Sequence, residues 1–170
     1  MRENYIKERS SMCLICDRIE MIGNGTNPYF VRELETGYVV IGDNQYFPGY
    51  VLFLCKQHKT ELFYLEEDFC RKFLAEMTIV AEAASIAFHA DKMNYELLGN
   101  EDSHLHWHLF SRKKGDLGDY SVNGAGGPVW YVPWSIMSDA KYKASGDMLE
   151  KMKADMSDAL DEVLKKKGIS

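Results

Sequence analysis

The chain has 170 residues, and its 20 basic and 26 acidic side chains leave a formal charge of −6. These figures exclude a collagen-like, disordered or strongly basic protein, and a hydrophobic fraction of 46% is enough for one soluble globular domain to bury a core without cross-links. The acidic balance argues against duplex nucleic acid as a partner, and apolar runs such as Val51 to Cys55 fall far short of the roughly 20 residues a membrane-spanning helix needs.

Residues 1–8 are charged and lack the apolar stretch and cleavage site of a secretory signal, so a cytoplasmic location is the expectation. In that reducing compartment Cys13, Cys16, Cys55 and Cys70 are expected as thiols or metal ligands. Past the Cys13-Leu14-Ile15-Cys16 segment, residues 29–34 and 37–41 are rich in β-branched and aromatic types around Glu35-Thr36, which predicts a hairpin. A third strand over residues 50–55 follows the turn signal Pro48-Gly49, and its continuous apolar character predicts burial on both faces.

From residue 66 to about 89, Phe69, Phe73, Met77, Val80, Ala84 and Phe88 recur every three or four positions behind three acidic residues, which predicts a long helix with His89 at its C-terminal end. Two more strands are expected over residues 95–98 and 104–111. Gly124-Ala125-Gly126-Gly127 reads as a loop, and the aromatic group Trp130, Tyr131 and Trp134 after it suits packing, a dimer interface or base stacking. A last helix is expected over residues 148–167, with Leu149, Met152, Met156, Leu160 and Val163 as its apolar stripe against the domain or another subunit, and Lys165 to Lys167 suiting its C-terminus. This order predicts an α+β fold with a mainly antiparallel sheet.

Two constellations carry chemistry. His104, His106 and His108 alternate along a predicted strand, which would set three imidazoles on one face, and a core does not ordinarily tolerate three such polar rings together; a solvated strand face is the plainer reading. Cys13-x-x-Cys16 has the bite of a zinc knuckle but supplies two of four ligands, with His58 and one of the three histidines as candidates for the others. A redox pair is the rival reading, although such a site normally follows a strand and opens a helix.

The run His104-Leu105-His106-Trp107-His108-Leu109-Phe110 resembles the signature of the histidine triad family of nucleotide hydrolases and transferases, in which three histidines alternate with apolar residues. Residues 47–58 are similar to that family's Pro-Gly-His-strand-Lys-x-His segment, with Tyr50 in place of the usual His and Cys55 in place of the usual Pro. Arg112-Lys113-Lys114-Gly115-Asp116 is similar to the basic stretch after the triad in the dinucleoside polyphosphate hydrolase branch.

The resemblance implies a five-stranded, mainly antiparallel sheet with a long helix, and a homodimer. It divides the chain into a catalytic domain with an N-terminal zinc knuckle over residues 1–116 and a loop and helix extension of the same domain over 117–170. It implies that His106 attacks the α-phosphorus of a purine nucleotide, a dinucleoside polyphosphate or a nucleoside phosphoramidate to form a nucleotidyl-histidine, a role suited to a ring that is largely neutral at pH 7. His108 would hold a phosphate oxygen and protonate the leaving group, and Asn100, where many members have Gln, would offer an amide to the developing charge. Asp43, with Asn44 beside it, is the candidate for the ribose hydroxyls, and Ser103 and Arg112 are candidates for the phosphates. Cys13, Cys16, His58 and His104 would form a closed, structural zinc site. Two further readings use the same residues: a metal-dependent hydrolase with His104 and His106 as ligands, and a nucleotide-binding or scaffold homodimer without catalysis.

Overall fold

The computed structural model describes residues 13–124 and 126–169. The charged stretch 1–8, read above for a targeting signal, lies outside the described residues. A helix missed by the sequence reading, α1 (Leu14–Gly23), opens the chain, with Cys13 as its N-cap. There follow β1 (Phe30–Glu33), β2 (Gly37–Ile41), β3 (Val51–Cys55), the long helix α2 (Glu67–Ala87), β4 (Lys92–Glu96), β5 (His106–Arg112), the single-turn α3 (Trp134–Met137) and α4 (Gly146–Lys167). The five strands form one antiparallel sheet in the order β1-β2-β3-β5-β4, the α+β architecture expected from the sequence. Among the described residues no helix is long and apolar enough to cross a membrane.

Strand alternation divides the sheet into two faces. Val39 and Ile41 on β2 stand opposite Phe53 and Val51 on β3, which in turn face Trp107 and Leu109 on β5. This face meets α2, where Phe53 stacks on Phe73 at 5.1 Å and the Ser111 hydroxyl donates to the Ala84 carbonyl at 3.4 Å. The C-terminal helix closes the same core through Leu149, Met156, Leu160 and Val163, so the partner of its predicted stripe is the domain itself. Lys166 and Lys167 in its last turn bind Glu82 of α2 at 3.0 and 2.8 Å, which joins the two helices. The opposite face carries Val40, Leu52, Leu54, His106 and His108. Its far end is covered by a second cluster of Phe47, Phe110, Leu117, Val129 and Val132, which folds the segment after β5 back onto the sheet.

Two strands depart from expectation. The fourth runs over Lys92–Glu96, not 95–98, because it is an edge strand whose pairing with Ser111 and Arg112 is set by backbone bonds, not by the apolar residues that follow it. The fifth begins at His106, not at His104. Leu105 still exchanges backbone hydrogen bonds with Cys55 and Lys59, and His104, just before the strand, gives its Nε2–H to the Cys55 carbonyl.

Candidate active site and metal centre

Two sites share His104. On one side, its Nδ1 lies 3.7 Å from Cys13 Sγ and 3.4 Å from Cys16 Sγ, and Cys16 Sγ is 3.1 Å from His58 Nδ1. The four donor atoms all lie within 4.8 Å of one another. A tetrahedral zinc, with bonds of about 2.3 Å to sulfur and about 2.0–2.1 Å to nitrogen, spaces its donors roughly 3.3–3.8 Å apart, so this donor set fits the ion. The Cys55 carbonyl accepts from His104 Nε2 at 2.8 Å, which places the ring proton there and aims the Nδ1 lone pair at the sulfurs. Burial holds the His104 pKa down to about 4, and burial together with the adjacent Cys13 sulfur pushes Cys16 up to about 12; an incoming ion must displace that thiol proton. The cysteine pair does open a helix, as redox pairs do, but the two histidines beside it make a four-ligand set.

On the other side, the His104 carbonyl accepts a 2.6 Å hydrogen bond from His106 Nδ1. A carbonyl can only accept, so Nδ1 carries the proton and the ring's lone pair is left on Nε2. Burial lowers the His106 pKa against the opposing effect of this hydrogen bond. Burial and the adjacent His106 bring His108 down to about 3, so both rings are neutral at pH 7. Their centroids are 4.6 Å apart. His104 thus faces Cys13 and Cys16 with Nδ1 and the Cys55 carbonyl with Nε2, while His106 Nδ1 is held by the His104 carbonyl.

His106 and His108 line a cavity of about 480 Å³. Its floor is Val40, Leu52 and Leu54 from alternate strand positions, and α1 supplies one wall through Leu14, Ile15 and Arg18. The loop from Leu98 to Asp102, which includes Asn100, supplies a second wall, and Asp43, Asn44, Tyr50 and Trp134 complete the lining. Asp43 accepts from Arg18 Nη2 at 2.6 Å. Asp102 accepts from the Leu14 amide at 3.1 Å, joining the loop to the start of α1. Trp134 stands 64% exposed at the cavity.

Of the residues singled out in the sequence, the fold brings Asp43, Asn100, His106 and His108 together at this cavity and groups Cys13, Cys16, His58 and His104 beside it. Ser103 is not among the lining residues. Arg112 stands apart: its guanidinium binds Asp116 at 2.7 and 2.8 Å, the Asn94 side chain at 2.8 Å and the Gly127 carbonyl at 2.9 Å, over the Phe47 ring. Arg18 and Tyr50 were missed. Arg18 was findable, since it lies four residues after Leu14 and three after Ile15 and so shares their helix face once α1 is recognised.

The HIT domain family model matches residues 29–115, half of the chain. The fold is shared with a histidine triad protein from Marinobacter aquaeolei (TM-score 0.62, 22% identity, covering 79% of this chain and 89% of that one). It is shared also with a hypothetical histidine triad nucleotide-binding protein from Sulfolobus tokodaii (0.66, 18%, 90% and 97%). A Zn-bound histidine triad family protein from Mycobacterium smegmatis is similar as well (0.60, 18%, 92% and 99%). No curated protein sequence matches. The chain belongs to the HIT domain family.

Proposed function

We propose that the cavity binds a nucleotide and that His106 transfers its nucleotidyl group. Family membership and the cavity support the binding. The observation that carries the chemistry is the 2.6 Å bond from His106 Nδ1 to the His104 carbonyl, which leaves Nε2 as the nucleophilic nitrogen. Nε2 attacks the α-phosphorus, the bond from phosphorus to the leaving group breaks, and the departing atom leaves with the bonding pair, hydrogen-bonded by the neutral His108 ring, and takes any proton it needs from water. Water then attacks the same phosphorus and gives up a proton to solvent, and the bond from phosphorus to Nε2 breaks to release the nucleotide. Asn100 offers an amide to the phosphoryl oxygens, and the Asp43 carboxylate, oriented by Arg18, suits a ribose diol. The exposed indole of Trp134 offers a stacking surface for a planar base. The substrate class that suits this site is a dinucleoside polyphosphate or a nucleoside phosphoramidate, each of which has a leaving group on the α-phosphorus.

Cys13, Cys16, His58 and His104 would hold a structural zinc, which supplies a closed crosslink and no reacting group. The Zn-bound relative from Mycobacterium smegmatis supports that identity for the ion. The test is intact-mass analysis after a brief quench with a dinucleoside tetraphosphate or a nucleoside phosphoramidate, with neutral to alkaline handling to preserve a labile adduct. A nucleotidyl adduct or product that is lost in His106→Ala is the expected result. Binding without adduct or turnover would instead make the chain a nucleotide-binding module, and turnover that survives His106→Ala would refute the covalent mechanism.

A further inference from the structure

Tyr50 stands where the turn Pro48-Gly49 feeds β3, and its surroundings hold it rigidly. Gly49 has φ +92°, and a Cβ there would lie 2.5 Å from Phe88, so the turn presses against the end of α2. The buried Gln45 side chain accepts from the Gly49 and Tyr50 amides at 2.8 and 3.2 Å, and donates to the Gly42 and Tyr50 carbonyls at 2.7 and 2.9 Å. The Tyr50 ring stacks on Phe110 at 4.3 Å and 6° and lies parallel to His108 at 5.9 Å and 5°, and the Gly42 backbone also approaches it, where a Cβ would lie 2.1 Å from the ring. From this clamp the hydroxyl reaches His108 Nδ1 at 2.5 Å, its sole hydrogen-bond partner among the described residues.

Burial raises the Tyr50 phenol above its ordinary value, so the hydroxyl keeps its hydrogen and has one acceptor to give it to. A neutral imidazole has one N–H and one lone pair. If Nδ1 accepts, the ring proton is on Nε2. We propose that Tyr50 is the positioning residue that locks His108 as its Nε2–H tautomer, opposite to the tautomer the His104 carbonyl imposes on His106. The two rings, 4.6 Å apart, then present a lone pair on His106 Nε2 and an N–H on His108 Nε2: a nucleophile and a hydrogen-bond donor held ready by a carbonyl on one and a phenol on the other. The tautomer assignment stands on the geometry alone; its consequence for turnover rests on the reaction proposed above.

The test compares wild type with Tyr50→Phe, which keeps the stacked ring and removes only the hydroxyl. Two-bond ¹H–¹⁵N spectra of the histidine rings are expected to show His108 Nδ1 as an acceptor nitrogen correlated with a low-field hydroxyl proton. In Tyr50→Phe that proton disappears and the Nδ1 resonance moves to the position of an unbonded nitrogen, while the His106 signals stay in place. With substrate, kcat falls roughly 10- to 100-fold with KM within about threefold, as for a misplaced hydrogen-bond donor to developing charge. A proton on His108 Nδ1 in wild type, or an Nδ1 resonance unmoved by the substitution, overturns the proposal. The expected spectra in a protein that turns nothing over would leave the tautomer lock standing and refute the reaction; turnover with an unmoved spectrum would do the reverse.

Discussion

The carbonyl of His104 holds Nδ1 of His106 at 2.6 Å while the imidazole of the same His104 faces the sulfurs of Cys13 and Cys16. One residue thus ties the candidate metal centre to the candidate nucleophile, by its side chain on one side and its backbone on the other. The other half of the four-ligand set lies on and beside α1, which places Leu14, Ile15 and Arg18 in the cavity wall.

Metal removal is therefore expected to affect stability first. Chelation, or Cys16→Ser, should release about one zinc per chain and lower Tm by roughly 10 °C or more, since a loss of several kcal/mol moves a domain of this size by about 2–4 °C per kcal/mol. Zinc analysis paired with a thermal melt checks this. An unchanged melt in protein shown to be metal-free would mean that the four donors are held by packing alone.

Trp134 comes from a segment outside the matched family region and stands at the cavity while remaining 64% exposed. Stacking of a base on an aromatic ring contributes about 1–3 kcal/mol, so Trp134→Ala should weaken nucleotide affinity by roughly 5- to 150-fold and leave Tm within about 2 °C. Titration calorimetry with a nucleoside monophosphate measures the first quantity. Equal affinities in the two proteins would remove the indole from the binding site.

The fold was largely legible because its elements follow simple periods: the α2 stripe of Phe73, Met77, Val80 and Ala84 and the α4 stripe of Leu149, Met156, Leu160 and Val163 are all buried. What escaped depended on contacts between distant residues. The surroundings of His104 depend on two sulfurs 88 and 91 residues away, against which its Nδ1 lies. Helix α1 was obscured because its best-marked residues, Cys13 and Cys16, read as ligands and not as a cap and a first turn. Tyr50 looked like a departure from a family pattern, and only the approach of β3 to β5 shows it against His108. Arg112 misled in the opposite sense, since a basic residue beside the triad suggests phosphate, whereas Asp116 four residues on already holds it.

Glu76 supplies a prediction about stability alone. This buried carboxylate on α2 accepts from the Glu35 amide at 3.1 Å, the Thr36 amide at 2.8 Å and the Thr36 hydroxyl, and so anchors the β1–β2 turn to the long helix. Glu76→Ala leaves those donors without a partner, at about 1–3 kcal/mol for each one that stays buried, and is expected to cost about 2–4 kcal/mol in all. Glu76→Gln keeps one acceptor oxygen and should fall between. Urea unfolding of the three proteins gives the order directly; Glu76→Ala as stable as wild type would show that the turn finds other partners.

The Arg112–Asp116 pair predicts a pH dependence. Burial by itself would raise the Asp116 carboxyl, but the hydrogen bonds from Arg112 and the Lys113 amide outweigh it and hold the group below 3.8. A carboxyl depressed on folding contributes stability that is present above its unfolded pKa and is lost as pH falls through the lower, folded value. Both side chains are nearly buried, at 8% and 14% exposure, so breaking the pair leaves a charge with little access to water. Asp116→Asn is therefore expected to cost on the order of 3 kcal/mol at pH 7. The gap between variant and wild type should persist down to about pH 4 and close below it, as wild-type Asp116 takes up its proton. Urea midpoints for both proteins between pH 7 and pH 3 measure the gap. A gap that stayed constant across that range would assign the cost to lost packing around Phe47 and not to the charge pair.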